Sequence, residues 1–362
     1  MLPLRVRAAI ARLAAAAAGA ALAAGCSASP TTRGFAGEKG MLSLCEGAGQ
    51  CGITATASNR GPSAGCGKAA AQPLGTYKEY SLTVACEADN ARDRLYYVRL
   101  PPNYDPTRPT RTVYLGPGCG PPQDSLGPGD IKVYGMETAS DPDAILIALE
   151  QGFYNKAEYS SADCSDDPAS GVTNLCHYCF DDGAASTCAD SVEYGYFDLL
   201  HKKIEADFCV DTDRQFYAGY SSGGWMAHEL GCQFPDVLRA QASVTGGLPM
   251  VIRDGVKTCI DHPIAAFLIH DAMDPSNPYS GSVAALERLL VVNKCAGGTT
   301  MREAPTAPYT ITAAPNNNDF NCLQYTGCPA QYPIVFCTSR GKSHDSQASA
   351  AVPGFWEFFK RF

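Results

Sequence analysis

The residues with the clearest potential for chemistry are Gly219-Tyr220-Ser221-Ser222-Gly223, which form a G-x-S-x-G pattern. This pattern is typical of a serine on a tight turn between a strand and a helix, where its hydroxyl can attack a carbonyl carbon. Glycines are needed on both sides because a Cβ atom there would collide within the turn. Together with the apolar segment before it and the amphipathic segment after it, the pattern predicts Ser221 as a nucleophile.

A serine hydroxyl needs a base within hydrogen-bond reach, and the base needs a carboxylate that orients it. When such a turn ends a strand of a parallel sheet, the acid and then the histidine follow later strands along the chain. Asp274 ends the apolar segment 265–274, and His344 follows the last predicted strand. We predict Asp274 as the acid, with Asp271 as the alternative. We predict His344 as the base, with His270 as the alternative, although a histidine within a strand is better explained as a packed side chain.

The intermediate of such an attack also needs two N–H donors for its oxyanion. The amide of Ser222, next to the nucleophile, is one predicted donor. The other is the amide of Cys119 within the glycine-rich segment 116–120, for which a plain turn is the alternative. Tyr220 and Trp225 flank the nucleophile and are predicted to bind substrate, although packing of Trp225 in the core fits the sequence equally well.

Strands and helices that alternate along the chain must position these residues. The sequence predicts an opening hairpin, further strands and four helices. The predicted strands lie at 80–86, 94–100, 111–115, 144–149, 215–220, 240–245, 265–270 and 332–338, and the helices at 192–208, 225–234, 283–292 and 353–362. The segment 299–321 is predicted to be irregular. This alternation predicts an α/β fold with a mainly parallel sheet covered by helices on both faces.

The N-terminal part is predicted to direct export. Arginines at positions 5, 7 and 12 precede an alanine-rich run that ends in a lipobox-like sequence at Cys26, so 1–26 is interpreted as an export signal. Lipidation of Cys26 would make the protein a cell-envelope lipoprotein. The alternative is an ordinary cleaved signal and a secreted or periplasmic protein. Residues 27–72 are interpreted as a flexible tether and 73–362 as one catalytic domain, with a Cys-rich insertion at 150–190 that forms a lid or a pocket wall.

The chain contains 17 cysteines, which in an exported protein predicts a disulfide framework. If Cys26 carries lipid, the other cysteines are even in number and can all pair. Zinc is the alternative, because Cys176-His177-Tyr178-Cys179 is a C-x-x-C with Cys164 and Cys188 nearby. Export favours disulfides, so neither a metal nor another cofactor is expected.

Charge and hydropathy limit the possible partners. The net charge is −9 without a basic cluster after the signal, so nucleic acid is not an expected partner. No run of about 20 apolar residues follows the N-terminus, so membrane contact is expected only through a lipid on Cys26. The protein is expected to be a monomer.

The chain from about Gly65 to Phe362 resembles the secreted feruloyl esterases and polyhydroxybutyrate depolymerases of the α/β-hydrolase superfamily, a group similar to carbohydrate esterase family 1. The resemblance rests on RLYYVRLPPNYDPTRP from Arg94, DFCVDTDRQFYAGYSSGGWMA from Asp207, FLIHDAMDPSNPY from Phe267 and GKSH from Gly341. It implies the α/β-hydrolase fold. It also implies a nucleophile, acid, base and oxyanion donors at the positions chosen above: Ser221, Asp274, His344, Cys119 and Ser222.

The chain departs from the pattern of this family at three places. Pro117 stands where the family usually has histidine, Asp271 stands where it has glycine, and Lys342 and Ser343 replace glycines before the histidine. The resemblance implies an exported serine esterase that acts through an acyl-enzyme, with feruloyl or similar aromatic esters of plant polysaccharide as substrates. Depolymerisation of polyhydroxyalkanoate is one alternative, and a catalytically inactive binding lipoprotein, suggested by the departures, is another.

Overall fold

A computed structural model describes residues 61–84, 92–118, 136–139, 143–150, 189–247, 252–253, 256–257, 262–312, 320–344 and 348–362. Several sequence predictions lie outside the described residues. They concern the export signal 1–26, the tether up to residue 60, Cys119 and nearly all of the insertion at 150–190, with the alternative zinc ligands in it.

In the described part of the chain, ten strands form one sheet, and two further strands of two residues each form a separate hairpin. The strands are β1 Tyr77–Val84, β2 Arg92–Arg99, β3 Thr110–Gly116, β4 Ala144–Leu149, β5 Val210–Tyr220, β6 Ala240–Val244, β7 Ile252–Arg253, β8 Val256–Lys257, β9 Ala265–Asp271, β10 Thr306–Pro308, β11 Asn321–Tyr325 and β12 Ile334–Ser339. The sheet order is β1-β2-β4-β3-β5-β6-β9-β12-β11-β10, and β7 pairs with β8. The six strands from β4 to β12 in this order are parallel, and the strands outside them are antiparallel. The predicted opening hairpin and the mainly parallel sheet are therefore confirmed.

Helices cover both faces of the sheet, because alternate residues of each strand point to opposite sides. The helices are α1 Met136–Ala139, α2 Ala189–Asp207, α3 Ser222–Gln233, α4 Tyr279–Val292 and α5 Ala348–Phe359. Tyr217 of β5 packs in a core with side chains of α2, α3 and α4. Its neighbours Phe216 and Ala218 pack in a second core with α1 and the aromatic side chains of α5. The predicted α/β class with two covered faces is confirmed.

The structure corrects the sequence predictions at several elements, among them the unpredicted strand β11 and earlier starts of β5 and α4. Helix α3 begins at Ser222, three residues before the predicted start, because the turn at the serine leads into it directly. Helix α5 begins at Ala348 and contains Pro353, although a proline usually marks the first turn of a helix. Burial of Phe355 and Trp356 on this helix compensates for the missing N–H of the proline. Strand β10 lies within the segment predicted to be irregular, and it is too short to show a period.

Disulfides connect elements that are distant along the chain, as predicted from the cysteine count. Cys66 is bonded to Cys209, Cys295 to Cys328, and Cys322 on β11 to Cys337 on β12. Cys232 is also disulfide-bonded.

The last residues assigned to the tether pack on the domain. The amide of Ser63 donates to the carbonyl of Val210, and the disulfide from Cys66 attaches the same segment to the start of β5. The segment around Ser63 and Cys66, before the predicted boundary at residue 73, is therefore attached to the domain, and the division of the chain into segments stays a prediction. None of the helices in the described ranges is long and apolar enough to cross a membrane.

Candidate active site

Ser221 occupies a strained turn between β5 and α3. Its φ is 54°, in the left-handed region that a residue with a side chain rarely adopts. A Cβ atom on Gly219 would lie 1.9 Å from the carbonyl oxygen of Gly223, and one on Gly223 would lie 2.2 Å from the carbonyl oxygen of Gly116 on β3. Both glycines of the motif are therefore required, because backbone atoms occupy the space where their side chains would stand.

The base loop, residues 340–344 after β12, brings His344 to this serine. The Nε2 atom of His344 lies 2.9 Å from Oγ of Ser221, and its Nδ1 atom lies 2.7 Å from Oδ2 of Asp274. Strands β5, β6, β9 and β12 are consecutive parallel neighbours, so the segments that follow their carboxyl ends meet at one edge of the sheet. The structure thus brings together the three residues that the sequence predicted to meet.

The carboxylate of Asp274 is held in the acid turn, residues 272–277 after β9. Its Oδ1 atom accepts hydrogen bonds from the amides of Ser276 and Asn277, at 2.8 and 3.0 Å, while Oδ2 accepts the hydrogen bond from His344. Burial acts to raise the pKa of Asp274, but the hydrogen bonds from His344 and the two amides outweigh it and hold the pKa below its usual value. An ionised Asp274 places the proton of a neutral His344 on Nδ1, so the lone pair of Nε2 faces the serine hydroxyl.

The two alternative residues make other contacts. The carboxylate of Asp271 accepts hydrogen bonds from Ser339 and from backbone amides, and no hydrogen bond joins it to His344 among the described residues. His270 lies between Oγ of Ser282 and the carbonyl oxygen of Asn277, and its Nε2 atom is also 3.3 Å from Oδ2 of Asp274. Burial lowers the pKa of His270. His270 is therefore a packed, hydrogen-bonded side chain behind the acid, as its place in β9 suggested.

The amide of Ser222 belongs to the first turn of α3, where N–H groups have no acceptor within the helix. The neighbouring amide of Gly223 donates to the carbonyl oxygen of Pro117 at 3.0 Å, so the proline that departs from the family pattern still joins the loop after β3 to α3. A Cβ atom on Gly118 would lie 3.3 Å from Cβ of Ser221, which shows how closely this loop approaches Ser221. Cys119, the other predicted donor, is the next residue of the loop and lies outside the described residues.

The two aromatic residues near the serine are both partly exposed. The ring of Tyr220 lies 5.1 Å from the ring of His344, between centroids, at an interplanar angle of 41°. The indole of Trp225 lies against Gly247, where an added Cβ atom would be 3.1 Å from Cζ2. Tyr220 therefore lies beside His344, while Trp225 borders the loop after β6.

Sequence reasoning did not select Asn277, which positions the acid. Its amide donates to Asp274, and its side-chain Nδ2 atom donates to the carbonyl oxygen of Thr245 at 2.6 Å. The signal that could have found it is the Asp-Pro-Ser-Asn segment directly after a buried strand, since Asp followed by such residues is typical of a turn in which the carboxylate accepts backbone amides. Within the described part of the chain, no group of three or more His, Cys, Asp or Glu side chains is placed to hold a metal ion.

The chain is similar in sequence to known esterases. No protein family model matches the chain. A probable feruloyl esterase C from Aspergillus niger is 26% identical over 284 residues, covering 76% of this chain and 87% of the relative. Feruloyl esterase C from Emericella nidulans is 26% identical over 307 residues, covering 82% and 90%. The chain is a carboxylic ester hydrolase. This hydrolase is related to the feruloyl esterases, as the resemblance of its motifs implied.

Solved structures show that the hydrolase has the α/β-hydrolase fold. An acetyl xylan esterase from Aspergillus awamori superimposes with a TM-score of 0.52 at 12% identity, covering 78% of this chain and 99% of that one. An S-formylglutathione hydrolase from Agrobacterium tumefaciens superimposes with a TM-score of 0.50 at 11% identity, covering 79% and 94%. At such identities the likeness extends to the fold and not to the substrate.

Proposed function

We propose that this hydrolase is a serine esterase that acts through an acyl-enzyme, with Ser221 as nucleophile, His344 as base and Asp274 as acid. The observation that carries the proposal is the continuous hydrogen-bond line from Oγ of Ser221 through both ring nitrogens of His344 to Oδ2 of Asp274, with contacts of 2.9 and 2.7 Å. Such a line is what a serine needs in order to lose its proton as it attacks.

The first half of the reaction forms the acyl-enzyme. Oγ of Ser221 bonds to the carbonyl carbon of the ester while Nε2 of His344 takes the hydroxyl proton, and the carbonyl oxygen becomes an oxyanion. In the proposal this oxyanion accepts hydrogen bonds from the amides of Ser222 and Cys119. When the carbon–oxygen bond to the alcohol breaks, Nε2 returns the proton to the leaving oxygen. Asp274 stays ionised throughout and stabilises the imidazolium that forms between these steps.

The second half releases the acid by the same steps with water as nucleophile. Nε2 of His344 takes a proton from water as the water oxygen attacks the acyl carbon. The tetrahedral intermediate then expels Oγ of Ser221, which recovers the proton from the imidazolium. The products are a carboxylic acid and the free enzyme, so no further reactant is needed.

Feruloyl or similar aromatic esters linked to plant polysaccharide are the proposed substrates. Two curated relatives are named feruloyl esterase C, and the partly exposed ring of Tyr220 beside His344 offers an aromatic surface to an acyl group. Trp225 is proposed as a second binding residue near the same turn. The test compares hydrolysis of methyl ferulate with hydrolysis of short 3-hydroxybutyrate oligomers. Turnover of the oligomers alone would replace this proposal with polyhydroxyalkanoate depolymerisation.

Labelling with a fluorophosphonate probe tests the catalytic part of the proposal. The wild type is expected to react, while Ser221→Ala is expected to be both unlabelled and inactive on methyl ferulate, with an unchanged melting temperature. Absence of labelling in folded wild type would overturn the proposal and favour an inactive binding protein. The two departures that suggested inactivity do not interrupt the hydrogen-bond line, because Pro117 still contacts α3 and the Asp271 carboxylate bonds elsewhere.

Export as a monomeric lipoprotein is the proposed cellular context. It is supported by the arginines and the alanine-rich run before Cys26, and by the disulfides of the described domain. Growth with a palmitate analogue should label the wild type and leave Cys26→Ser unlabelled. A wild type that is exported without label would show that an ordinary signal is cleaved. Sedimentation of the purified domain measures its oligomeric state.

A further inference from the structure

We infer that Asp271 is a positioning residue whose buried carboxylate fastens the acid turn to the base loop and so sets the placement of His344. The inference rests on the proposed serine esterase function. Asp271 touches neither substrate nor the reacting atoms, so it acts through the segments that it holds.

The carboxylate of Asp271 accepts four hydrogen bonds from two segments. Its Oδ1 atom accepts the amides of Met273 at 2.7 Å and Gly341 at 3.1 Å. Its Oδ2 atom accepts the hydroxyl of Ser339 at 2.6 Å and the amide of Lys342 at 2.7 Å. We call these five residues the Asp271 clamp. Asp271 is 0% exposed, so water does not compete for these donors.

The clamp stands where the regular sheet ends. Asp271 and Ser339 are the last paired residues of β9 and β12, and one further backbone hydrogen bond joins the amide of Ala272 to the carbonyl oxygen of Ser339. Beyond this point the two segments diverge toward Asp274 and His344. Met273 directly precedes the acid, and Lys342 lies two residues before the base. The clamp therefore holds both segments immediately before the side chains whose separation matters for proton transfer.

The base loop needs such support because its backbone is strained. Ser343 has a φ of 63°, in the left-handed region, and Gly341 has a φ of 82°. A residue with a Cβ atom keeps such a conformation only when the contacts around it hold it there. Hydrogen bonds from the amides of Gly341 and Lys342 to the Asp271 carboxylate restrain the two residues before Ser343, and thereby the direction in which the chain presents His344.

Only a carboxylate suits this position. All three backbone partners and the hydroxyl of Ser339 donate, and an ionised carboxylate is the one side-chain group that offers two acceptor oxygens and no donor. An asparagine side chain at residue 271 would offer only one acceptor oxygen. Because both partners of Oδ1 are backbone amides, the oxygen of Asp271→Asn would take the Oδ1 place. Its NH2 group would then face the amide of Lys342 and break that contact, while the hydroxyl of Ser339 could reverse and accept.

The experiment compares Asp271→Asn, Asp271→Ala and Ser339→Ala with a matched remote control, Asp198→Asn. Asp198 is also a buried carboxylate, but it bonds to His201 and Lys202 within α2. For methyl ferulate we expect kcat to fall about tenfold in Asp271→Asn and about 100-fold in Asp271→Ala, with KM within about twofold of wild type. Ser339→Ala, which keeps the three backbone contacts, should lose less than about threefold. Asp198→Asn should melt at a lower temperature with unchanged kcat.

Amide hydrogen exchange of Gly341 and Lys342 provides a readout that does not depend on turnover. Both amides should exchange faster in Asp271→Ala, and that of Lys342 should exchange faster in Asp271→Asn, whereas Asp198→Asn should leave them unchanged. If Asp271→Ala does not fold, Asp271→Asn decides. Folded variants with wild-type kcat, or with slowed turnover and wild-type exchange, would overturn the inference. Failure of the wild type to hydrolyse any ester would refute the proposed function instead, and the exchange data would distinguish the two failures.

Discussion

Replacement of Asp274 by asparagine tests the proposed mechanism most directly, because the structure determines how the new amide must be oriented. Oδ1 of Asp274 accepts two backbone amides, from Ser276 and Asn277, and both are obligate donors. The oxygen of Asp274→Asn must therefore occupy the Oδ1 place, and its NH2 group must occupy the Oδ2 place against Nδ1 of His344. A donor there forces Nδ1 to accept, so the proton of the neutral ring moves to Nε2.

This change of tautomer removes the base without removing the imidazole. A protonated Nε2 donates to Oγ of Ser221 and cannot take the hydroxyl proton. In a serine protease with a Ser-His-Asp triad, the same Asp→Asn change lowers kcat about 10⁴-fold. At about 1.36 kcal/mol for each factor of ten, a loss of this size corresponds to about 5.5 kcal/mol of transition-state stabilisation. We expect a similar loss here, because Oδ1 of Asp274 accepts two backbone amides while Oδ2 contacts His344, and these partners fix the orientation of the new amide.

The assay measures kcat and KM with methyl ferulate under saturating conditions, together with the melting temperature. KM should stay within about threefold, because Asp274 is buried behind His344 and does not face the substrate side. The melting temperature should change little, because the Asn variant keeps both hydrogen bonds to Oδ1. A folded Asp274→Asn enzyme with kcat within about tenfold of wild type would refute the assignment of Asp274 and its role in setting the tautomer.

Three further outcomes follow from described contacts. Burial acts to lower the pKa of His201, but the adjacent carboxylates of Asp198 and Glu205 outweigh it and raise the pKa. The resulting stability is present below about pH 6.5, the ordinary histidine pKa, and is lost as pH rises through the folded pKa. The unfolding free energy measured in urea should therefore decrease more from pH 6 to pH 8 in wild type than in His201→Gln. Equal decreases would contradict this reasoning. Gly223→Ala should lower the unfolding free energy by about 3 kcal/mol or more and abolish probe labelling, since its Cβ would lie 2.2 Å from a backbone oxygen of β3. Normal labelling of this variant would show that the turn can relax. Replacing Cys66 and Cys209 together by serine opens a loop with a sequence separation of 143, and should cost up to about 5 kcal/mol in urea unfolding, measured beside Cys295→Ser/Cys328→Ser, whose separation is 33. A smaller loss of unfolding free energy for the longer loop would contradict an entropic origin of the stabilisation by these disulfides.

The elements nearest to the chemistry were predictable because local patterns encode them. Buried strands are recognisable in the sequence as short apolar runs. Strand β4 is an example, and its predicted bounds agree with the structure. The turn at Ser221 is recognisable in the sequence by its glycines, because the turn leaves no room for side chains at those positions. In contrast, β10 has three residues and no period of its own, so only pairing with β11 defines it. Helix α5 extends past Pro353 toward the N-terminus, and Ala351 and Val352 in that part are buried in the same core as its aromatic residues.

The choice between neighbouring carboxylates shows the limit of sequence reasoning. Asp271 ends β9 and Asp274 follows it, and their types and positions allow either to serve as the acid. Their hydrogen-bond partners distinguish the two carboxylates. An amide of the acid turn and the ring of His344 bind Asp274, whereas two amides of the base loop bind Asp271. His344 and the base-loop amides lie about 70 positions further along the chain, so no local pattern contains the answer.

The sequence by itself determined the class of fold, the proposed nucleophile and the order in which its proposed partners follow, because hydrophobic period, glycine positions and chain order are local or linear properties. Only the tertiary structure decided which acid meets His344, which cysteines pair in the described domain, and that Asp271 joins two loops. Those outcomes depend on distances between segments that the parallel sheet brings together, and a linear pattern carries no information about such distances.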